Sequence, residues 1–293
     1  MYIDDILVSS TTAEEHETRL RALFRRLNDH GLVVNPQKSI LGANAVQFLG
    51  FQVDAAGIRP LDSKVTAVQN FPKPATYMAL SEFLGMTNYY HRFIRDCSKI
   101  ARPLYDILAA GSRAATPSTR AIPGADWTLA AAGAFHALKT ALAKAASLAF
   151  PAHDLKTRLV TDASDRAAGA VLEQYVDDAW HPVSFYSKAF STAETKYSTY
   201  DRELLAIKLA LNHIRHIVEG IPGNLFHVAT DHKPLTTGKN FAPGDRSASQ
   251  LNRVTRTWQL ISEFTSATSP EPTTWPPTPS AATLSSPLTR PTS

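Results

Sequence analysis

Apolar residues along this chain recur with a helical period in some segments and alternate in others, and turn or cap residues lie between them. Thr11 and Thr12, followed three positions later by Glu14 and Glu15, offer capping boxes for a helix whose apolar stripe is Leu20, Leu23, Phe24 and Leu27. His30-Gly31 ends that helix, Leu32-Val33-Val34 reads as extended, and Asn35-Pro36 turns the chain. Val46 to Val53 with Gly57-Ile58 predicts a small hairpin, and Gly42, Gly50 and Gly57 mark turns. Residues 62–108 read as mostly helical. Leu80, Phe83, Leu84, Thr87, Tyr90 and Phe93 form one face there, and His91, Arg92 and Arg95 fall on the outer one. Residues 109–126 are small, polar and broken by Pro and Gly, which predicts an exposed loop before an Ala/Leu helix around 128–146.

Residues 155–264 follow a β-β-β-α-β pattern, with strands near 156–163, 168–176 and 181–187 and a further strand-like run from Phe226 to Asp231. The helix is expected from about Glu194 to Val218, with Tyr200, Leu204, Ile207, Leu211, Ile214 and Val218 as its stripe. The pattern predicts a compact α/β domain with a mixed sheet. From Thr265 to Ser293, Pro, Ser and Thr dominate, and such a segment buries too little apolar surface to offset chain entropy, so it reads as disordered.

At 293 residues the chain is long enough for two domains, and 44% hydrophobic with 19% charged residues suits a globular protein with an ordinary core. The net charge of +4 is compatible with a polyanionic partner but selects none. A single cysteine, Cys97, excludes an intramolecular disulfide and a cysteine-based zinc site, and favours an intracellular, reducing compartment, with cytoplasm and nucleus equally open. No apolar run reaches the roughly 18 residues of a membrane span, and the N-terminus lacks a signal-peptide pattern. No membrane partner is expected.

Three acids change the picture. Asp162 ends the β-branched run from Thr157, Asp231 ends the run from Phe226, and Glu203 lies on the long helix. Hydrolysis of a phosphodiester with two cations roughly 4 Å apart needs several carboxylates to offset their repulsion. Hard oxygen ligands suit Mg²⁺, with Mn²⁺ accepting the same set. Glu203 falls roughly 60° from the centre of the apolar stripe at about 3.6 residues per turn, so it should border the sheet without being buried. Asp201 and Arg202 are expected to point further outward. Any one of these acids alone is more simply read as a turn cap or a solvated helix residue, as Asp165 is in the turn Ser164-Asp165-Arg166. Tyr2-Ile3-Asp4-Asp5 adds a second acidic signal. Tyr89, Tyr90, Arg92, Phe93 and Arg95 interleave aromatic and basic groups on one predicted helix, a pattern suited to a nucleic-acid backbone or, equally, to core aromatics beside a solvated face. Lys188 and Lys196 read as ordinary surface lysines, and His213 and His216 as solvated helix residues.

Thr161-Asp-Ala-Ser-Asp165, Tyr200-Asp-Arg-Glu-Leu-Leu-Ala206 and Thr230-Asp-His-Lys-Pro-Leu235 resemble the ribonuclease H region of gypsy-like LTR-retrotransposon Pol polyproteins. Tyr2-Ile-Asp-Asp5-Ile-Leu-Val8 resembles that family's reverse-transcriptase hairpin, and Phe48-Leu-Gly50 its palm end. Phe83 to Ile94 resembles its thumb-side helices, and Ala134 to Lys139 the helix before the ribonuclease H region. The resemblance implies an α+β and α/β architecture: palm remnant at 1–60, helical thumb or connection at 61–126, ribonuclease H-like domain at 127–264, and tail at 265–293. It implies the activities of an RNA-directed DNA polymerase and a hybrid-cleaving ribonuclease H, with an RNA–DNA hybrid and other parts of the polyprotein as partners. Metal-binding and catalytic roles would fall to Asp162, Glu203 and Asp231, with Asp4 and Asp5 as polymerase relics, and nucleic-acid contacts to Tyr89, Tyr90, Arg92 and Arg95. The family's polymerase also uses an Asp upstream of the Tyr-x-Asp-Asp hairpin, and its nuclease a fourth Asp downstream. No Asp follows Asp245 here. A chain truncated at both ends is therefore expected, with polymerisation lost and hydrolysis impaired. The competing readings are an inactive retroelement remnant that binds nucleic acid or assembles, and an ordinary cellular nuclease. Tyr2 to Asp5 and the thumb-like block argue against the latter.

Overall fold

The computed structural model describes residues 5–113, 118–145 and 147–231, together with the backbone of residues 282–284. The chain divides into two units, Met1–Leu61 and Asp62–Ser293.

In the first unit, helix α1 (Ala13–Asp29) starts where the capping residues place it. The Thr12 hydroxyl accepts the Glu15 N–H at 3.2 Å, and the Glu15 carboxylate accepts the Thr11 N–H at 2.9 Å. The anticipated buried stripe is only half covered: Leu20, Leu23 and Leu27 are partly exposed, and Phe24 is exposed. An amphipathic pattern shows which face could be buried, but a unit of this size has little surface with which to cover it. Leu32-Val33-Val34 forms no strand, and Val33 is 96% exposed. Its β-branched residues lack the paired neighbour from which strand preference mostly arises. Strands β1 (Ala45–Phe48), β2 (Phe51–Asp54) and β3 (Gly57–Pro60) make an antiparallel meander, one strand more than the expected hairpin. Leu49 and Gly50 close β1 onto β2 with φ of +49° and +78°, the paired positive values that a two-residue turn needs to match strand twist.

The second unit begins with helices α2 (Asp62–Gln69), α3 (Tyr77–Tyr89), α4 (Cys97–Arg113) and α5 (Leu129–Ala143). The predicted face of Leu80, Phe83, Leu84, Thr87, Tyr90 and Phe93 is buried throughout. Residues 109–113, expected in the loop, instead continue α4. Gly111 explains part of this, because its bare Cα lets the Tyr77 ring pack against the helix. Gly111→Ala is therefore expected to destabilise the protein. The helix preference of Ala over Gly is worth about 1 kcal/mol. A methyl driven into the Tyr77 ring costs about 1–3 kcal/mol. A urea midpoint that rises instead would show that the ring moves aside freely.

The sheet of this unit contains β4 (Thr157–Ala163), β5 (Ala167–Val176), β6 (Ala179–Ala189) and β7 (Phe226–Thr230), in the order β6-β5-β4-β7. β4, β5 and β6 are antiparallel, and Asp177-Asp178, with φ of +48° and +60°, close the β5–β6 hairpin. Helix α6 (Thr199–Val218) then crosses over and returns the chain as β7, parallel to β4. The predicted start at Glu194 is corrected. Glu194–Lys196 form a separate 3₁₀ turn, and α6 begins after Ser198, whose hydroxyl accepts the Asp201 N–H at 3.1 Å. The α6 stripe packs with Leu159, Leu172, Val183, Phe226 and Val228 in one core. Of the composition-predicted disordered tail, Ala282–Leu284 form strand β8 on the edge of β7. An edge strand offers unpaired backbone groups that even a short segment can satisfy. The rest of that tail lies outside the described residues. Among the described residues, no helix is long and apolar enough to cross a membrane.

Candidate metal centre

Parallel register builds the first half of the site. Thr161 of β4 pairs with Thr230 of β7, so Asp162 and Asp231, each the next residue, emerge on neighbouring strands, which run about 4.8 Å apart. Side-chain alternation places Leu159 and Thr161 under α6 and turns Asp162 to the other face. The first turns of α6 supply the third acid, and one carboxylate oxygen from each of Asp162, Glu203 and Asp231 lies within 4.8 Å of the others. The centre thus forms around the end of the sheet, where a helix residue can meet acids from two strands.

Glu203 is buried at 5% exposure, against the expectation that it would stand at the rim. The Ala163 backbone N–H donates to its carboxylate and draws it inward over the end of β4. Burial first, then the charges of Asp162 and Asp231, raise its carboxyl to about 7, opposed by the Ala163 N–H and Arg202. Its Oε2 is buried with no hydrogen-bond partner. A buried carboxylate oxygen facing two further carboxylates has the electrostatics of a cation site, since a bound dication would supply the missing partner for all three. The donor set, entirely carboxylate oxygen, fits Mg²⁺ or Mn²⁺.

Two neighbours also depart from their expected positions. Asp201 is buried, because Ser198 Oγ donates to its carboxylate at 2.8 Å while capping the helix. Arg202 reaches back to Asp165 in a 2.7 Å ion pair that ties the start of α6 to the β4–β5 turn. That turn is held by Ser164, whose hydroxyl accepts the Ala167 N–H at 3.0 Å, and not by Asp165.

Asp4 lies outside the described residues, as does Asp245, and Asp5 is exposed in the first unit. Tyr89, Tyr90, Arg92 and Arg95 do not share a helix face. α3 ends at Tyr89, His91–Phe93 form a 3₁₀ turn, and Arg95 precedes α4. Tyr90 continues the buried face of α3 at 4% exposure, while Tyr89 and Arg95 are exposed. Arg92, expected outward, is half-buried against the Phe93 ring with its Nε unpartnered, and burial lowers its pKa. Lys188 is exposed, as read from the sequence.

Sequence reading overlooked Asp96 and Ser98. Asp96 has a φ of +55°, and its carboxylate occupies the space a side chain at Gly169 would fill, beside the cross-strand partner of Asp162. Ser98 donates its N–H to Ser187 Oγ at 3.0 Å and its hydroxyl to the Ser187 carbonyl at 2.9 Å. Together they seat the start of α4 on β5 and β6. Gly169 in the first, apolar half of β5 was the available clue, because a bare strand position often marks a close approach.

The same sheet carries a pH-sensitive position. His227 on β7 is buried, its ring 6.3 Å from Trp180, which Arg158 covers at 4.0 Å while pairing with Glu173. Burial, with help from Arg158, pushes the His227 imidazole down to about 4. The unfolded chain therefore takes up this proton first: stability is complete above about pH 6.5 and declines toward pH 4. The shift bounds the loss at about 3 kcal/mol. In His227→Gln, the stability difference between neutral and acid pH should shrink by up to that amount. An unchanged pH profile would sink the assignment.

Residues 127–228 match the model of the RNase H-like domain found in reverse transcriptase, and residues 1–53 match that of reverse transcriptase (RNA-dependent DNA polymerase). The chain is 36% identical over 268 residues to the retrovirus-related Pol polyprotein from transposon opus of Drosophila melanogaster, covering 90% of this chain and 26% of that protein. It is 32% identical over 235 residues to the transposon Tf2-3 polyprotein of Schizosaccharomyces pombe, covering 80% of this chain and 17% of that protein. It therefore spans about a quarter or less of each. In fold it is similar to the foamy viral protease-reverse transcriptase, solved with RNA/DNA hybrid, at a TM-score of 0.68 and 23% identity, covering 87% of this chain and 33% of that one. The dRH form solved with double-stranded DNA gives 0.70 at 22% identity, covering 88% and 44%. With these matches along its length, the chain carries a reverse-transcriptase segment and an RNase H-like domain and is a homologue, over most of its residues, of transposon Pol polyproteins.

Proposed function

We propose that the RNase H-like domain hydrolyses the RNA strand of RNA–DNA hybrids, with Asp162, Glu203 and Asp231 holding Mg²⁺ and accepting Mn²⁺ in its place. The observation that carries this reading is the convergence of three carboxylates on the buried, unpartnered Oε2 of Glu203. Bound cations would supply an activated water and charge stabilisation at the leaving oxygen. Asp162 and Asp231 present one carboxylate each from adjacent strands, and Glu203 closes the third side. The Ala163 N–H fixes the Glu203 carboxylate, and the Arg202–Asp165 pair fixes the start of its helix, so the ligands are held before any ion arrives. Tyr89 and Arg95, the exposed members of the aromatic–basic segment, are the residues we assign to nucleic-acid contact, while Tyr90 and Arg92 hold the turn between them. Asp4 and Asp5 are assigned to the acidic hairpin of the reverse-transcriptase segment that residues 1–53 match.

The test is incubation of the purified chain with an end-labelled RNA–DNA hybrid and, separately, with duplex DNA. Cleavage confined to the RNA strand of the hybrid, present with Mg²⁺ and absent with EDTA, is the expected result. Hybrid binding without cleavage in either Mg²⁺ or Mn²⁺ would replace this reading with that of a non-catalytic binding module.

A further inference from the structure

A cleft of about 300 Å³ opens between the start of α4 and the turn that joins β4 to β5. Its charged lining is Lys99, Arg102 and Asp106 from the helix, with Asp165 and Arg166 from the turn. Both acids are already neutralised: Asp106 pairs with Arg102 at 3.0 Å, and Asp165 with Arg202 at 2.7 Å. Lys99 and Arg166 are exposed and, among the described residues, carry no ion pair, so two positive charges on opposite walls stay uncompensated. The cleft adjoins the carboxylate centre. β4 carries Asp162 into this turn, and the Asp96 carboxylate, just before α4, sits against Gly169, the cross-strand partner of Asp162. Paired residues face the same side of a sheet, so α4 starts on the side to which Asp162 turns its carboxylate. The two Ser98–Ser187 bonds hold it there.

We propose that this cleft, resting on the hybrid-cleaving reading of the centre, seats the sugar-phosphate backbone of the bound hybrid, with Lys99 and Arg166 as its phosphate contacts. Three carboxylates repel phosphate wherever no cation lies between them, so a bound strand needs positive charge beside the centre. The cleft supplies it in two forms, a mobile ammonium on one wall and a planar guanidinium on the other. Contacts of this kind fix the register and orientation of a strand without reading its bases. Lys99 and Arg166 are therefore positioning residues: they set where along the hybrid the centre acts and do not touch the reacting atoms. One wall belongs to the helical block and the other to the sheet, so the block before the RNase H-like domain is itself part of the substrate site.

The experiment measures binding of a fluorescein-labelled RNA–DNA hybrid to the full chain in EDTA over a range of KCl, so that no cleavage intervenes. Each phosphate contact contributes about 0.9 to the slope of log affinity against log salt. Lys99→Ala and Arg166→Ala should each lower the slope by about that amount, and the double variant by about twice as much. Lys99→Arg and Arg166→Lys should keep it. Lys64→Ala removes an equally exposed charge on α2, outside the cleft, and should leave the slope alone. All these side chains are exposed, so the variants should melt with the parent. With Mg²⁺, the two cleft variants should raise KM and keep kcat. A parent that shows no salt-dependent binding, a double variant with the parent's slope, or an equal loss in Lys64→Ala would each overturn the proposal, even if the chain cleaves hybrids. Binding with the expected slopes but without cleavage would instead sink the enzymatic reading and leave the cleft standing.

Discussion

Asp162→Asn is expected to lower Mg²⁺-dependent cleavage of the RNA strand by about 10²–10⁴-fold while leaving the fold intact. Charge stabilisation by a bound cation is worth several kcal/mol at the transition state. Each 1.36 kcal/mol is a factor of ten in rate. Asn preserves the shape of the side chain but removes the charge that, with Asp231, makes the site attractive to a cation. The same charge raises the buried Glu203 carboxyl, so its removal relieves repulsion in the metal-free protein. Two opposite effects follow from one substitution: Tm without metal does not fall, and the rise in Tm on adding Mg²⁺ shrinks. A change that merely disrupted packing would lower Tm in both conditions. Equal cleavage rates for parent and variant would end the enzymatic reading, whatever the Tm does.

The strand half of this centre was legible because it follows from alternation and register alone. Both runs end in Thr-Asp, and a parallel pairing that aligns the threonines must align the acids. The helix half was legible in identity but not in depth. An angle from the apolar stripe places Glu203 at the rim of a smooth helix–sheet interface, yet β4 ends there and the Ala163 N–H donates to the carboxylate. Asp201 was misplaced for a related reason: the local bond to Ser198 outweighs its helical angle. Arg92 turned inward because a 3₁₀ turn interrupts the period on which its outward position was read. In the first unit, the stripe of α1 and the run Leu32 to Val34 show a limit of pattern reading. Periodicity identifies the face that could be buried but carries no information about the surface that would cover it. The Asp96–Gly169 approach and the His91–His213 pairing join segments far apart in sequence, and no local rule anticipates them.

Leu211→Ala should be among the most destabilising single changes in the chain, at about 3–4 kcal/mol. Leu211 is completely buried midway along α6, in one core with Leu159, Leu172, Ile207, Ile214 and Val228 from the sheet and the same helix. Truncation loses the transfer energy of the removed carbons and leaves a cavity that strands paired on both sides cannot close. Against a total stability of about 5–15 kcal/mol, that is a large share. Leu211→Met conserves volume and should cost less than about 1.5 kcal/mol. Leu20→Ala, on the half-covered stripe of α1, should cost less than about 1 kcal/mol, nearer a surface change than a core one. Urea titrations monitored by a probe in each unit read out all three, with m unchanged if only stability moves. If Leu211→Ala cost no more than Leu20→Ala, α6 would not be the keystone of its sheet, and the burial that places Glu203 beside Asp162 and Asp231 would need another explanation.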